Sequence, residues 1–137
     1  MPLIYALALL VVKEKFVERI NKDKRIKLII LTKTPFKQVE KYIKGKKAWA
    51  CVDLTQTGGS EKQSGVLKIS NANDPTSLFL ILEQFVQRIR PQAIYIESLE
   101  PILFGLNDME KQRFLKMLND YMSSNNVDLI VFDDKEG

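Results

Sequence analysis

The sequence predicts an α/β fold: three α/β/α layers around a mostly parallel sheet of about five strands, formed as a single domain over residues 1–137. Three observations carry that expectation. Short continuous apolar runs alternate with longer stretches of helical periodicity, the order in which βαβ units are written. Within the runs the apolar residues are consecutive, which marks strands covered on both faces. And 137 residues, 45% apolar and 28% charged, suffice for one core without disulfide or metal staples.

Residues 3–22, "LIYALALLVVKEKFVERINK", read as one helix, with Phe16, Val17 and Ile20 on an apolar stripe. A short strand over 3–8 followed by a helix is the competing reading. "IKLIILT", 26–32, is a buried strand. Thr34 is the expected N-cap and Pro35 the expected helix start for "FKQVEKYIKG", which turns Phe36, Val39, Tyr42 and Ile43 to one side and closes at Gly45. "AWACVDLT", 48–55, is the second strand. The stretch 56–65, "QTGGSEKQSG", has no periodicity and reads as a mobile loop.

"VLKIS", 66–70, is a short strand. Asp74 is the expected N-cap and Pro75 the first position of a helix that buries Leu78, Leu82, Phe85, Val86 and Ile89 and stops at Pro91. "QAIYIES", 92–98, is a strand, and "LEPILFGLND" connects it to a helix over about 108–124. That helix is expected to bury Met109, Phe114, Met117, Leu118 and Tyr121. "NN" ends it and "VDLIVFDD" is the last strand. With right-handed crossovers, ligands would bind beyond the carboxyl ends of the strands.

The residues leaving those ends are Thr32, Lys33, Asp53, Thr55, Ser70, Asn71, Glu97, Ser98, Asp133 and Asp134. Asp53, Glu97 and Asp133 could hold Mg²⁺ if they converge, and acids also gather at strand ends simply because those ends meet water. The pattern GxxxxGK[ST], whose backbone amides and lysine cradle a triphosphate, is absent, and "TGGS", 57–60, precedes a strand where a phosphate loop would open a helix. There is no histidine, so Ser98 and the single cysteine, Cys51, lack the usual general base, and no lysine stands at Ser-Lys spacing. Cys51, inside an apolar run, reads as a small buried hydrophobe. No catalytic residue, cofactor or metal is expected.

Charge is uneven. Up to residue 47 there are 13 Lys and Arg against 4 Asp and Glu, and 8 against 13 beyond it. Lys22, Lys24, Arg25 and Lys27 form one cluster and Lys41, Lys44, Lys46 and Lys47 another, a candidate nucleic-acid surface with Tyr42 and Trp49 near it in sequence, although Trp49 in a strand also reads as core. The other candidate surface is apolar. Leu3, Ile4, Leu7, Leu10 and Val11 would leave a helix apolar on every side, which another copy of the chain could cover in a homodimer. The run 3–12 is too short to cross a bilayer, which takes about 20 residues. It lacks the flanks of a signal peptide. No membrane partner is expected, and a cytoplasmic setting fits.

"LIILTKTPFKQVEKY", "WACVDLT", "ISNANDPTSLFLILEQFV", "AIYIESLEPILFG" and "VDLIVFDD" resemble a set of archaeal domains of unknown function. Those domains are themselves similar to the RecA/KaiC-like ATPase core but lack its phosphate loop. The resemblance runs over about residues 13–134. It implies a RecA-like fold with a degenerate phosphate loop and without ATPase function, serving as a regulatory or scaffolding module. It places Glu97 at the degenerate Walker B position, where an acid, usually aspartate, would help hold Mg²⁺.

Overall fold

The structure is a computed structural model that describes residues 15–43, 49–55, 61–63, 66–69 and 74–132. Helix α1 is described over 15–22. It is followed by β1 (Lys27–Leu31), α2 (Phe36–Val39) with a 3₁₀ turn at Glu40–Tyr42, β2 (Trp49–Asp53), β3 (Glu61–Gln63), β4 (Val66–Lys68), α3 (Pro75–Ile89), β5 (Ala93–Ile96), α4 (Glu100–Leu103), α5 (Asp108–Ser124) and β6 (Asp128–Val131). The sheet order is β3-β4-β2-β1-β5-β6, and only β3 runs antiparallel to its neighbour. Counted along the five parallel strands, the order is 3-2-1-4-5, that of a doubly wound sheet.

Every residue of β1 and β5 is buried, which explains the apolar runs 28–31 and 93–96, while Lys27 at the start of β1 donates to the Asp23 carbonyl. The pleat sends alternate side chains to opposite layers. Leu28, Ile30, Val52, Ile94 and Ile96 meet Leu78, Leu82 and Val86 of α3, Ile102 of α4 and Phe114, Leu118 and Met122 of α5. Ile29, Leu31, Cys51 and Tyr95 meet Phe16, Val17 and Ile20 of α1 and Phe36 and Val39 of α2. The three layers follow.

Asp74 caps α3 as expected, accepting from the Ser77 N–H at 2.8 Å, with Pro75 at the first helical position. A reciprocal pair caps α5: Asn107 accepts from the Glu110 N–H while Glu110 accepts from the Asn107 N–H. Gly105, at φ 89°, makes the turn between α4 and α5 that a side chain would strain.

Four expectations are corrected. The helix after Pro35 lasts one turn, because Ile43 leaves it in extended backbone to join the core beside Phe36 and Val39, and the Asn21 side chain donates to the Tyr42 carbonyl. Tyr42 is consequently exposed. Residues 61–63, inside the expected loop, pair with β4, and Glu100–Leu103, inside the expected connection, form α4. In α5 the buried stripe is Phe114, Leu118 and Met122, while Met109 is 61% and Met117 46% exposed. Met109→Lys should therefore change stability by no more than about 0.5 kcal/mol in urea unfolding, where Leu118→Ala costs about 3 kcal/mol.

At the amino edge of the sheet, Asp23 gathers donors. The Tyr95 hydroxyl donates to it at 2.6 Å, Arg25 at 2.8 Å through Nη2, and Lys27 Nζ donates to its carbonyl at 2.7 Å. The Arg25 hydrogen bond, with help from Tyr95, holds the Asp23 carboxyl well below the ordinary 3.8, against the opposing effect of burial. A depressed carboxylate contributes stability above its unfolded pKa that is lost as pH falls toward the folded one. Asp23→Asn should thus flatten the loss of stability below about pH 4, read as urea midpoints from pH 5 to pH 2.5.

Candidate functional site

A doubly wound sheet opens a crevice where successive crossovers leave to opposite faces. Here that point lies between β1 and β5. The chain leaves β1 toward α2 on one layer and leaves β5 toward α4 and α5 on the other. Beyond the strand ends, residues 32–35 face residues 97–99.

These two segments are joined by hydrogen bonds. The backbone N–H groups of Thr32, Lys33 and Thr34 all donate to Glu97 Oε1, at 3.1, 2.8 and 3.0 Å. The Thr34 hydroxyl donates to Glu97 Oε2. Thr32 Oγ1 donates to the Ser98 carbonyl at 2.7 Å, and Lys33 Nζ lies 3.6 Å from Glu100 Oε2. Ser98 is fully buried, and its hydroxyl accepts from the Glu100 N–H at the start of α4. Three consecutive amides converging on one oxygen form a nest, a concavity with partial positive charge suited to an anion. Its anion is the protein's own carboxylate. Thr34 is therefore no helix cap: its hydroxyl serves Glu97, and α2 starts without a side-chain cap.

Asp53, at the end of β2, holds the other side of the same loop. Although fully buried, it accepts from the Phe36 N–H at 2.9 Å through Oδ2 and from the Thr55 N–H at 2.8 Å and the Thr55 hydroxyl through Oδ1. Buried Lys68 is its partner in the β2–β4 register. Cys51, two residues earlier, is 1% exposed, and burial, with the nearby charges of Asp53 and Glu97, pushes its thiol pKa well up. A thiol so placed is a poor nucleophile.

Asp53 and Glu97 thus grip successive parts of one loop, each through donors. Asp133, the third acid of the expected set, lies outside the described residues with Asp134, Ser70 and Asn71. Among the described residues no group of three His, Cys, Asp or Glu is placed to hold a metal ion.

The first basic cluster is partly engaged within the fold: Lys27 is buried, Arg25 pairs with Asp23 and Asp128, and Lys22 pairs with Glu18. Lys24 and Lys41 are exposed, the latter with Nζ 5.2 Å from the Tyr42 ring centre. Trp49 packs on Phe36 with ring centres 5.9 Å apart, as a core residue would. Lys44, Lys46 and Lys47 lie outside the described residues, as do Leu3, Ile4, Leu7, Leu10 and Val11. No described helix is long and apolar enough to cross a membrane. The residues that sequence reasoning missed as partners are Thr32 and Thr34. Their only signal was two hydroxyls flanking Lys33 directly after a strand.

Comparison with known proteins adds no relative: no family model matches the chain, and no curated protein matches it.

Proposed function

We propose that this protein is a non-catalytic interaction module: an α/β domain that acts by contact, as a regulatory or scaffolding element, and associates with itself in the cytoplasm. One observation supports the reading above others. The crevice where such sheets take their ligands is tied shut by Glu97, with the loop amides that would meet a phosphate already satisfied. This accords with the function that resemblance to a RecA/KaiC-like core without its phosphate loop implies. Contact surface supports it as well: Phe104, 88% exposed, and Met109 stand at the carboxyl edge near the start of α5. An apolar segment such as 3–12 also needs cover.

Two measurements test it. Calorimetry of the purified chain with ATP and Mg²⁺ should give no binding heat, and a saturable heat would overturn the closed crevice. Light scattering from micromolar to millimolar concentration should give a mass above that of one chain, 15.8 kDa. A strict monomer throughout would overturn self-association.

A further inference from the structure

We propose that residues 32–34 form an oxyanion-binding site whose resident ligand is the tethered Glu97 carboxylate, and that the same loop takes inorganic phosphate once that carboxylate is removed. The inference rests on the closed crevice described above.

The donors are backbone groups, so replacing the occupant's side chain removes none of them, and the loop keeps its ties to Asp53 at the Phe36 N–H and to the Ser98 carbonyl at the Thr32 hydroxyl. Three N–H groups reach one oxygen within 3.1 Å, and a hydroxyl reaches the second, a pattern that only an acceptor with several lone pairs satisfies. These donors lie ahead of α2, so the site does not depend on that helix's single turn. It sits at the carboxyl edge between β1 and β5, the place where doubly wound sheets bring phosphates. Lys33 stands at the rim with its side chain 30% exposed, its ammonium 3.6 Å from the Glu100 carboxylate. A phosphate offers what the carboxylate offers, several charged oxygens, with room gained from the deleted side chain. In the unaltered chain, free phosphate competes with a ligand held at high effective concentration by its tether, and loses.

The test is a titration of isotope-labelled protein with inorganic phosphate at constant ionic strength, following the amide resonances of Thr32, Lys33 and Thr34. In Glu97→Ala these three should shift together and saturate at millimolar phosphate. The unaltered chain and Glu97→Gln, whose neutral amide still fills the cradle, should show no such shift. Absence of a saturable response at these amides in Glu97→Ala, or an equal response in Glu97→Gln, overturns the inference. Should Glu97→Ala be unfolded in chloride, the titration becomes one of refolding: recovery with phosphate beyond the gain phosphate gives the unaltered chain supports the site, and no such recovery overturns it. If the unaltered chain itself takes phosphate at these amides, the closed crevice and the tethered ligand both fail. If only the variant fails to respond, the closed crevice stands and this inference alone falls.

Discussion

Glu97→Ala lowers the unfolding free energy by about 3 kcal/mol, while Glu97→Gln costs about 1 kcal/mol. The difference comes from who can replace the lost acceptor. Thr32 and Thr34 are each 5% exposed, so in phosphate-free buffer the water confined in the vacated cradle pairs with their N–H groups poorly where the carboxylate paired with both. Two buried donors left unmade cost about 1–3 kcal/mol each, and the freed rotamers of a glutamate return only about 1.5 kcal/mol. Lys33 is exposed, and its amide turns to solvent. In Glu97→Gln the amide oxygen keeps all three N–H partners, and the amide nitrogen meets the Thr34 hydroxyl, which rotates to accept where it had donated. Urea unfolding with an unchanged slope measures both variants, and for a chain of this size the alanine change corresponds to a fall of about 10 °C in Tm. A loss below about 1 kcal/mol in Glu97→Ala would show that the loop finds other partners and that the carboxylate does not hold it.

That interaction marks the boundary of what the sequence made legible. β1, β5 and α3 could be read because their evidence is local: unbroken apolar runs buried on both faces, and Asp74 followed by Pro75 at a helix start. Glu97 stands in the sequence as one of three strand-end acids with Asp53 and Asp133, and the resemblance places it at the degenerate Walker B position. Where its carboxylate points is decided by donors 63 to 65 residues earlier in the chain, and no local pattern carries that. The shortness of α2 has the same origin. Thr34 and Pro35 look like a cap and a first turn, but the hydroxyl is drawn to Glu97 and Ile43 is drawn into the core in extended backbone. The misplaced methionines of α5 are a different failure. Met109 and Met117 are apolar, yet they lie off the line of Phe114, Leu118 and Met122, whose four-residue steps keep to the face against the sheet with Leu115 and Tyr121 packed at its border. In an α/β layer only that narrow stripe meets the strands, and flexible thioether side chains can remain outside it.

Asp53 responds to the same chemistry in the opposite way, and the contrast separates a carboxylate that can be imitated from one that cannot. Both of its oxygens accept from fixed backbone donors, Oδ2 from the Phe36 N–H and Oδ1 from the Thr55 N–H, with the Thr55 hydroxyl added. An asparagine has only one acceptor oxygen. Whichever way its amide is turned, the nitrogen faces a backbone N–H that cannot reverse its role as a hydroxyl can. Asp53→Asn therefore costs about as much as Asp53→Ala, roughly 3 kcal/mol in each case, since each leaves at least one donor unmade at a site with no solvent exposure. Hydrogen exchange locates the damage: the Phe36 and Thr55 amides should both lose protection in Asp53→Ala and one of the two in Asp53→Asn, while the amides of α5, held by their own helix, keep theirs relative to global unfolding. If Asp53→Asn proved as mild as Glu97→Gln, the two backbone donors would not be what fixes this carboxylate. The start of α2 would then be held by apolar packing of Phe36 and Val39 alone.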